Sequence, residues 1–102
     1  MKRPEYDIRL LRIAEDDLTE IVSYIAADRP SAADAVASKI EKNFALLTKH
    51  PHLGRIPKEE DLARLGYRYL VIDDYLVFYI IEGEAIFLHR ILHGARDYLR
   101  LF

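Results

Sequence analysis

The 102-residue chain contains no cysteine. Disulfides, thiolate metal sites and a cysteine nucleophile are therefore excluded. Ser23, Ser31 and Ser38 all lie in segments of helical periodicity, so a serine nucleophile has no support either. No stretch approaches the ~20 apolar residues of a membrane span. The N-terminal MKRPEYDIRLLRIAEDD has two early basic residues but no apolar core of a signal peptide, which makes a cytoplasmic location the expectation. A surplus of positive charge is missing as well. Lys and Arg number 15 against 17 Asp and Glu, for a formal net charge of −2 and a pI near 6.1. Proteins that grip nucleic acid through many phosphates need a strongly basic surface. Here only the end of the chain leans that way: residues 85–102 hold Arg90, Arg96 and Arg100 against Asp97 alone.

Apolar residues make up 51% of the chain and charged residues 31%, the balance of an ordinary globular protein. The length suits one domain, residues 1–102, with a single core. Residues 5–13 alternate in character: Tyr6, Ile8 and Leu10 share one face, and Asp7 and Arg9 the other. That pattern predicts a strand. From Ala14 the period becomes helical, with Leu18, Ile21, Val22 and Ile25 on one stripe and an end near Asp28. Glu15, Asp16 and Asp17 crowd its start, where carboxylates suit the positive end of the helix dipole. Pro30 fits the first turn of a second helix, with Asp28 or Ser31 as its cap. Ala33, Val36, Ala37, Ile40, Phe44 and Leu47 supply its stripe, and Pro51 requires it to stop by His50.

Residues 51–66 are punctuated by Pro51, Gly54, Pro57 and Gly66 and read as a loop, with room for one helical turn over 59–65. Three β-like runs follow, at 67–72, 75–81 and 85–93, separated by Asp73-Asp74 and a turn at Gly83. The middle run is apolar throughout, as expected of a strand buried on both faces. Residues 95–102 suit a short helix or an extended tail. The predicted class is α+β in the order β-α-α-β-β-β: an N-terminal strand, then an αα-hairpin packed on a roughly four-stranded sheet ending in an antiparallel meander.

Several segments taken together resemble the RelE/ParE superfamily of toxins from type II toxin–antitoxin systems, some known as plasmid stabilisation proteins. They are the helix with Asp17-Leu18 and Tyr24-Ile25, the run from His50 to Arg55 (HPHLGR), the strand Tyr67-Arg68-Tyr69-Leu70-Val71, the strand Tyr75-Leu76-Val77-Phe78-Tyr79, and the closing run from His89 to Tyr98 (HRILHGARDY). The resemblance spans nearly the whole chain. It implies the α+β fold above and a cognate antitoxin, ParD- or RelB-like, that wraps and neutralises the toxin. It also implies one of two targets. ParE-like members inhibit DNA gyrase without established catalytic residues. RelE-like members cut mRNA in the ribosomal A site. Fold alone does not choose between them.

RNA cleavage needs a base for the 2′-hydroxyl, a cation for the transition state and an acid for the leaving oxygen. The resemblance puts these duties on basic and aromatic side chains of the sheet and C-terminus, which makes Arg68, His89, Arg90, His93, Arg96 and Tyr98 the candidates. Regular strand alternation sends His89 and His93 to one face and Arg90 to the other. An alternative role for Arg90 and Arg96 is to pair with Asp97, Glu82 or Glu84 and fix the tail. RelE-like nucleases tend to carry several loop lysines, whereas this loop has Lys58 followed by Glu59, Glu60 and Asp61. That acidic run opposes a phosphate backbone. Glu59 or Glu60 could serve as a base, but a solvated acidic turn is the better account of them.

His89 and His93 would stand about 13 Å apart on a strand, too far to share an ion. His50 and His52 lack a neighbouring carboxylate at ligand spacing, so neither a metal nor a cofactor is expected. Tyr67, Tyr69, Tyr75, Phe78, Tyr79 and Phe87 could stack bases, although strand aromatics more often form cores. The favoured expectation is a gyrase-directed toxin whose target-binding surface includes Arg55, Arg90, Arg96 and Arg100. The alternatives are an mRNA endonuclease and a binding module that has lost toxicity.

Overall fold

The structure, a computed structural model, describes residues 5–94. Four strands and three helices follow the predicted order, with β1 at Asp7–Leu10, α1 at Arg12–Asp28, α2 at Pro30–Lys49, α3 at Glu60–Arg64, β2 at Tyr67–Ile72, β3 at Tyr75–Glu82 and β4 at Ala85–His93. The sheet order is β1-β4-β3-β2. β2, β3 and β4 form the antiparallel meander, and β1 lies parallel to β4 at one edge.

Two local expectations change. β1 keeps only four residues, and α1 begins at Arg12 rather than Ala14, because the chain turns as soon as Leu10 has paired with Leu88. Neither Asp28 nor Ser31 caps α2. Asp28 is the last residue of α1, Arg29 is the single link, and Pro30 opens α2 without a side-chain cap. Proline suits that place because its missing N–H has no helical partner there.

The sheet has two unlike faces. The helical hairpin covers one. Ile40 and Leu47 of α2 meet Leu70, Ile72, Val77, Tyr79, Ile86, Leu88 and Ile91, and Leu18 and Ile21 of α1 pack on the same cluster. On the other face α3 drops Leu62 onto Phe78 and Leu92, with Tyr67, Tyr69 and Leu76 around them. β3 is therefore buried from both sides, and Val77, Phe78 and Tyr79 are fully inaccessible. The two hairpin turns need left-handed backbone, supplied by Asp73 (φ 51°) and Gly83 (φ 60°). Lys39 of α2 closes on the Asp73 carboxylate at 2.9 Å.

Candidate functional site

The candidate site is built around an irregularity in β4. Phe78 pairs with Arg90, but Tyr79 pairs with Leu88, so His89 is an extra residue in the β4 ladder. A bulge of this kind reverses the alternation beyond it. Ile86 and Leu88 face the helices before the bulge, and Ile91 faces them after it. His93 consequently lies on the α1 side, with Glu20, Ile21 and Tyr24. His89 and Arg90 share the opposite side with Leu62, Leu65 and Tyr67. The expectation that His89 and His93 share a face, with Arg90 on the other, is thus overturned by the bulge.

Past Leu88, β4 has no β1 residue beside it, because β1 stops at Leu10. Asp17 of α1 takes up the exposed ladder. Its Oδ2 accepts the Ile91 backbone N–H at 3.0 Å and the Arg90 Nε at 2.8 Å, and its Oδ1 accepts Arg90 Nη2 at 3.0 Å. Both side chains are largely shielded, 13% and 12% exposed. A two-pronged guanidinium–carboxylate pair of this geometry is directional as well as strong. It holds the Arg90 guanidinium above its ordinary range, through the Asp17 hydrogen bonds first. Among the described residues the partner of Arg90 is thus Asp17, 73 positions away in sequence, rather than Glu82 or Glu84, and Asp97 lies outside them.

His89 and Tyr67 form a second pair. The Tyr67 hydroxyl lies 3.0 Å from His89 Nδ1, and the rings meet edge to face at 5.0 Å. Burial pushes the phenol up and the imidazole down, the latter against an opposing pull from Glu82. A neutral ring accepting the Tyr67 proton at Nδ1 fits both. Since the folded imidazole lies below its ordinary 6.5, the unfolded chain binds the extra proton more readily. The resulting stability is complete above pH 6.5 and is lost as pH falls from there through the depressed folded value. Denaturation midpoints of the protein and of His89→Gln, compared at about pH 7.5 and about pH 5, should show the native protein losing more on acidification. Equal losses would contradict this.

The 51–55 loop is tied to the hairpin-side face by two cross-strand neighbours, Arg68 of β2 and Tyr79 of β3. The buried Tyr79 hydroxyl accepts the Gly54 N–H and donates to the Pro51 carbonyl, both at 2.8 Å. Arg68 Nη1 donates to the carbonyls of Gly54 at 3.0 Å and His52 at 3.4 Å. Arg55 exchanges both backbone hydrogen bonds with Tyr69 at the β2 edge, and its side chain is exposed. Burial holds the Tyr79 phenol above its ordinary range, with Gly54 and Arg68 acting in the opposite sense.

The described candidates do not converge. Arg90 is committed to α1, Arg68 to the loop carbonyls, and the two histidines point to opposite faces. Glu60 sits in an exposed pairing with Arg64 at 4.0 Å, and Glu59 precedes α3. Phe78 and Tyr79 are core residues rather than stacking platforms. Arg96, Tyr98 and Arg100 lie outside the described residues. Asp17 and the Tyr67 hydroxyl, neither of which sequence reasoning placed in the site, organise it. Apart from its place in the helix that carries the family resemblance, Asp17 was legible as a helix-start carboxylate.

No helix among the described residues is long and apolar enough to cross a membrane. No curated protein sequence matches the chain. Among solved structures, the chromosomal ParDE toxin–antitoxin system from P. aeruginosa is similar at a TM-score of 0.73 and 19% identity, covering 89% of this chain and 98% of that one. The RelBE2 toxin–antitoxin complex from Mycobacterium tuberculosis is similar at a TM-score of 0.64 and 24% identity, covering 93% and 98%. At these identities the likeness is one of fold. The ParE toxin of type II toxin–antitoxin systems, parDE, matches residues 8–98, nearly the whole sequence, and the chain therefore belongs to the ParE toxin family.

Proposed function

We propose that this toxin arrests growth by binding DNA gyrase in the cytoplasm rather than by cutting RNA. A ParD-like antitoxin neutralises it by covering apolar surface beside the helical hairpin. The observation that carries the reading is the internal commitment of the two described arginines available to a phosphoryl transition state. Arg90 is forked onto Asp17, and Arg68 is spent on the 51–55 loop. An RNA-cleaving centre needs its cation free to meet developing charge. A docking surface needs rigidity, and both arginines provide it. The residues assigned to target binding are the exposed Arg55 on the stapled loop, Arg90, which braces β4, and Arg96 and Arg100, which lie outside the described residues. The acidic 59–61 run and the net charge of −2 agree with a protein target better than with ribosomal RNA.

Purified protein added to gyrase should block supercoiling or trap cleaved DNA, and Arg55→Glu should weaken that effect without lowering the denaturation midpoint. Normal gyrase activity at large molar excess of toxin, combined with codon-positioned cuts in ribosome-bound mRNA, would reject the proposal in favour of an mRNA endonuclease. Harmless overproduction of the toxin alone would leave only a binding module.

A further inference from the structure

α1 carries charge of one sign along almost its whole length. From Ile13 to Asp28 it holds Glu15, Asp16, Asp17, Glu20 and Asp28 and no lysine, arginine or histidine. Asp17 is spent on Arg90. Asp16 and Asp28 have loose, exposed pairings with Arg12 and Arg29, each at 3.9 Å. Glu20 has no ion-pair partner among the described residues.

Glu20 also lines a depression of about 200 Å³ between α1 and the end of β4. Ile21 and Tyr24 share its helix wall, and Tyr75, Ile91 and His93 form its sheet wall. Tyr75 and His93 meet edge to face at 5.6 Å, which fixes the sheet wall. Tyr24 is 82% exposed, a large aromatic left in solvent beside the cleft. Small-molecule sites run from about 300 to 1,000 Å³, so this one suits a single side chain. Its chemistry narrows the choice. An anion would be repelled by Glu20, and a purely apolar side chain would leave that carboxylate unanswered. A guanidinium meets every wall: its N–H groups reach a carboxylate, its plane stacks on a tyrosine ring, and its methylene stem lies along Ile21 and Ile91.

We infer that this cleft receives an arginine side chain from a partner protein, carried on a segment with apolar residues beside the arginine. Glu20 pairs with the guanidinium, Tyr24 and Tyr75 flank it, and the apolar neighbours cover the exposed Tyr24 ring. Arginine and tyrosine are the side chains that most often anchor protein contacts. Recognition at this cleft is independent of which target the toxin has.

The test uses the full chain and N-acetyl-arginine methylamide as the probe, followed by NMR. Saturable shifts should centre on Glu20 and on the Tyr24 and Tyr75 rings. The citrulline analogue, of the same shape without the charge, should bind about tenfold more weakly. Glu20→Gln and Tyr24→Ala should each weaken arginine binding about threefold without lowering the denaturation midpoint, since both side chains are exposed. Glu84→Gln, in the acidic group at the β3–β4 turn, should leave binding unchanged. Equal binding of the citrulline analogue would overturn the inference by making the cleft merely apolar. Equal loss in Glu84→Gln would overturn it by reducing the effect to general attraction. Shifts of Tyr24 and Tyr75 that depend on protein concentration without the probe would overturn it too, by giving the cleft to a second copy of the chain.

Discussion

Asp17→Ala is expected to cost the fold about 3 kcal/mol, the penalty of stranding a shielded charge whose partner has been removed. Asp17 has three ties, two to the Arg90 guanidinium and one to the Ile91 N–H. Alanine leaves the guanidinium without its carboxylate and the Ile91 N–H without an acceptor, at the edge where β1 no longer covers β4. Each kcal/mol moves the melting midpoint of a domain this size by roughly 4–8 °C, so a fall of at least about 10 °C is expected. Asp17→Asn retains an acceptor and should lose less. Restoration by Asp17→Leu with Arg90→Met separates the stranded charge from simple loss of attraction, because an apolar pair of similar volume removes the buried charge altogether. A melting midpoint for Asp17→Ala within a degree or two of the native value would mean that the pair is solvated and does not organise the bulge.

Gly54→Ala is the second large effect, and its cause is steric. A Cβ at Gly54 would stand 2.6 Å from the Tyr79 hydroxyl, 2.7 Å from Tyr79 Cε1 and 2.9 Å from the Tyr69 carbonyl. Two of these neighbours cannot yield: Tyr79 is fully buried, and the Tyr69 carbonyl already accepts the Arg55 N–H. The loop must lift. That breaks both Tyr79 hydroxyl bonds, and overpacking with lost buried hydrogen bonds comes to about 3 kcal/mol. Urea denaturation should show a lower midpoint with an unchanged slope. Tyr79→Phe, which removes the hydroxyl but keeps the ring, should lose about 1–3 kcal/mol through the stranded Gly54 N–H and Pro51 carbonyl. The two losses should not add, since the same bonds are broken in both. A native-like midpoint for Gly54→Ala would show that the loop accommodates a side chain and is not fixed by Tyr79.

The parts of the fold that could be read in advance are those where one periodicity dominates. The α2 stripe from Ala33 to Leu47 and the unbroken apolar run of β3 each have one solution, and both lie where expected. The turns at Asp73-Asp74 and Gly83 follow from residues that tolerate positive φ. The bulge at His89 is different. Nothing local marks it, because every residue from Ala85 to Leu92 suits a regular strand, and the extra residue is set by how β4 meets β3 and α1. Missing it exchanged the faces of His93 and Arg90. The Asp17–Arg90 fork was hidden by sequence separation. A carboxylate near the start of an acidic helix is fully explained by the helix dipole, and only the early end of β1 gives it another task. In the HPHLGR segment the glycine was visible as a loop marker, but its need for a bare α-carbon comes from Tyr79, 25 residues away.

Arg68 and Arg90 connect these observations to function. Both are the sort of residue a phosphodiester-cleaving site requires, and both have their guanidinium groups engaged in holding the molecule together. The loop that Arg68 holds presents the exposed Arg55 beside the β2 edge.

The most direct test is to induce the toxin alone in bacteria and follow DNA and protein synthesis together by pulse labelling. A gyrase-directed toxin predicts that DNA synthesis falls first and cells grow into filaments while mRNA stays intact. An early collapse of protein synthesis with cleaved mRNA would contradict the account and return the arginines to the role of catalysts.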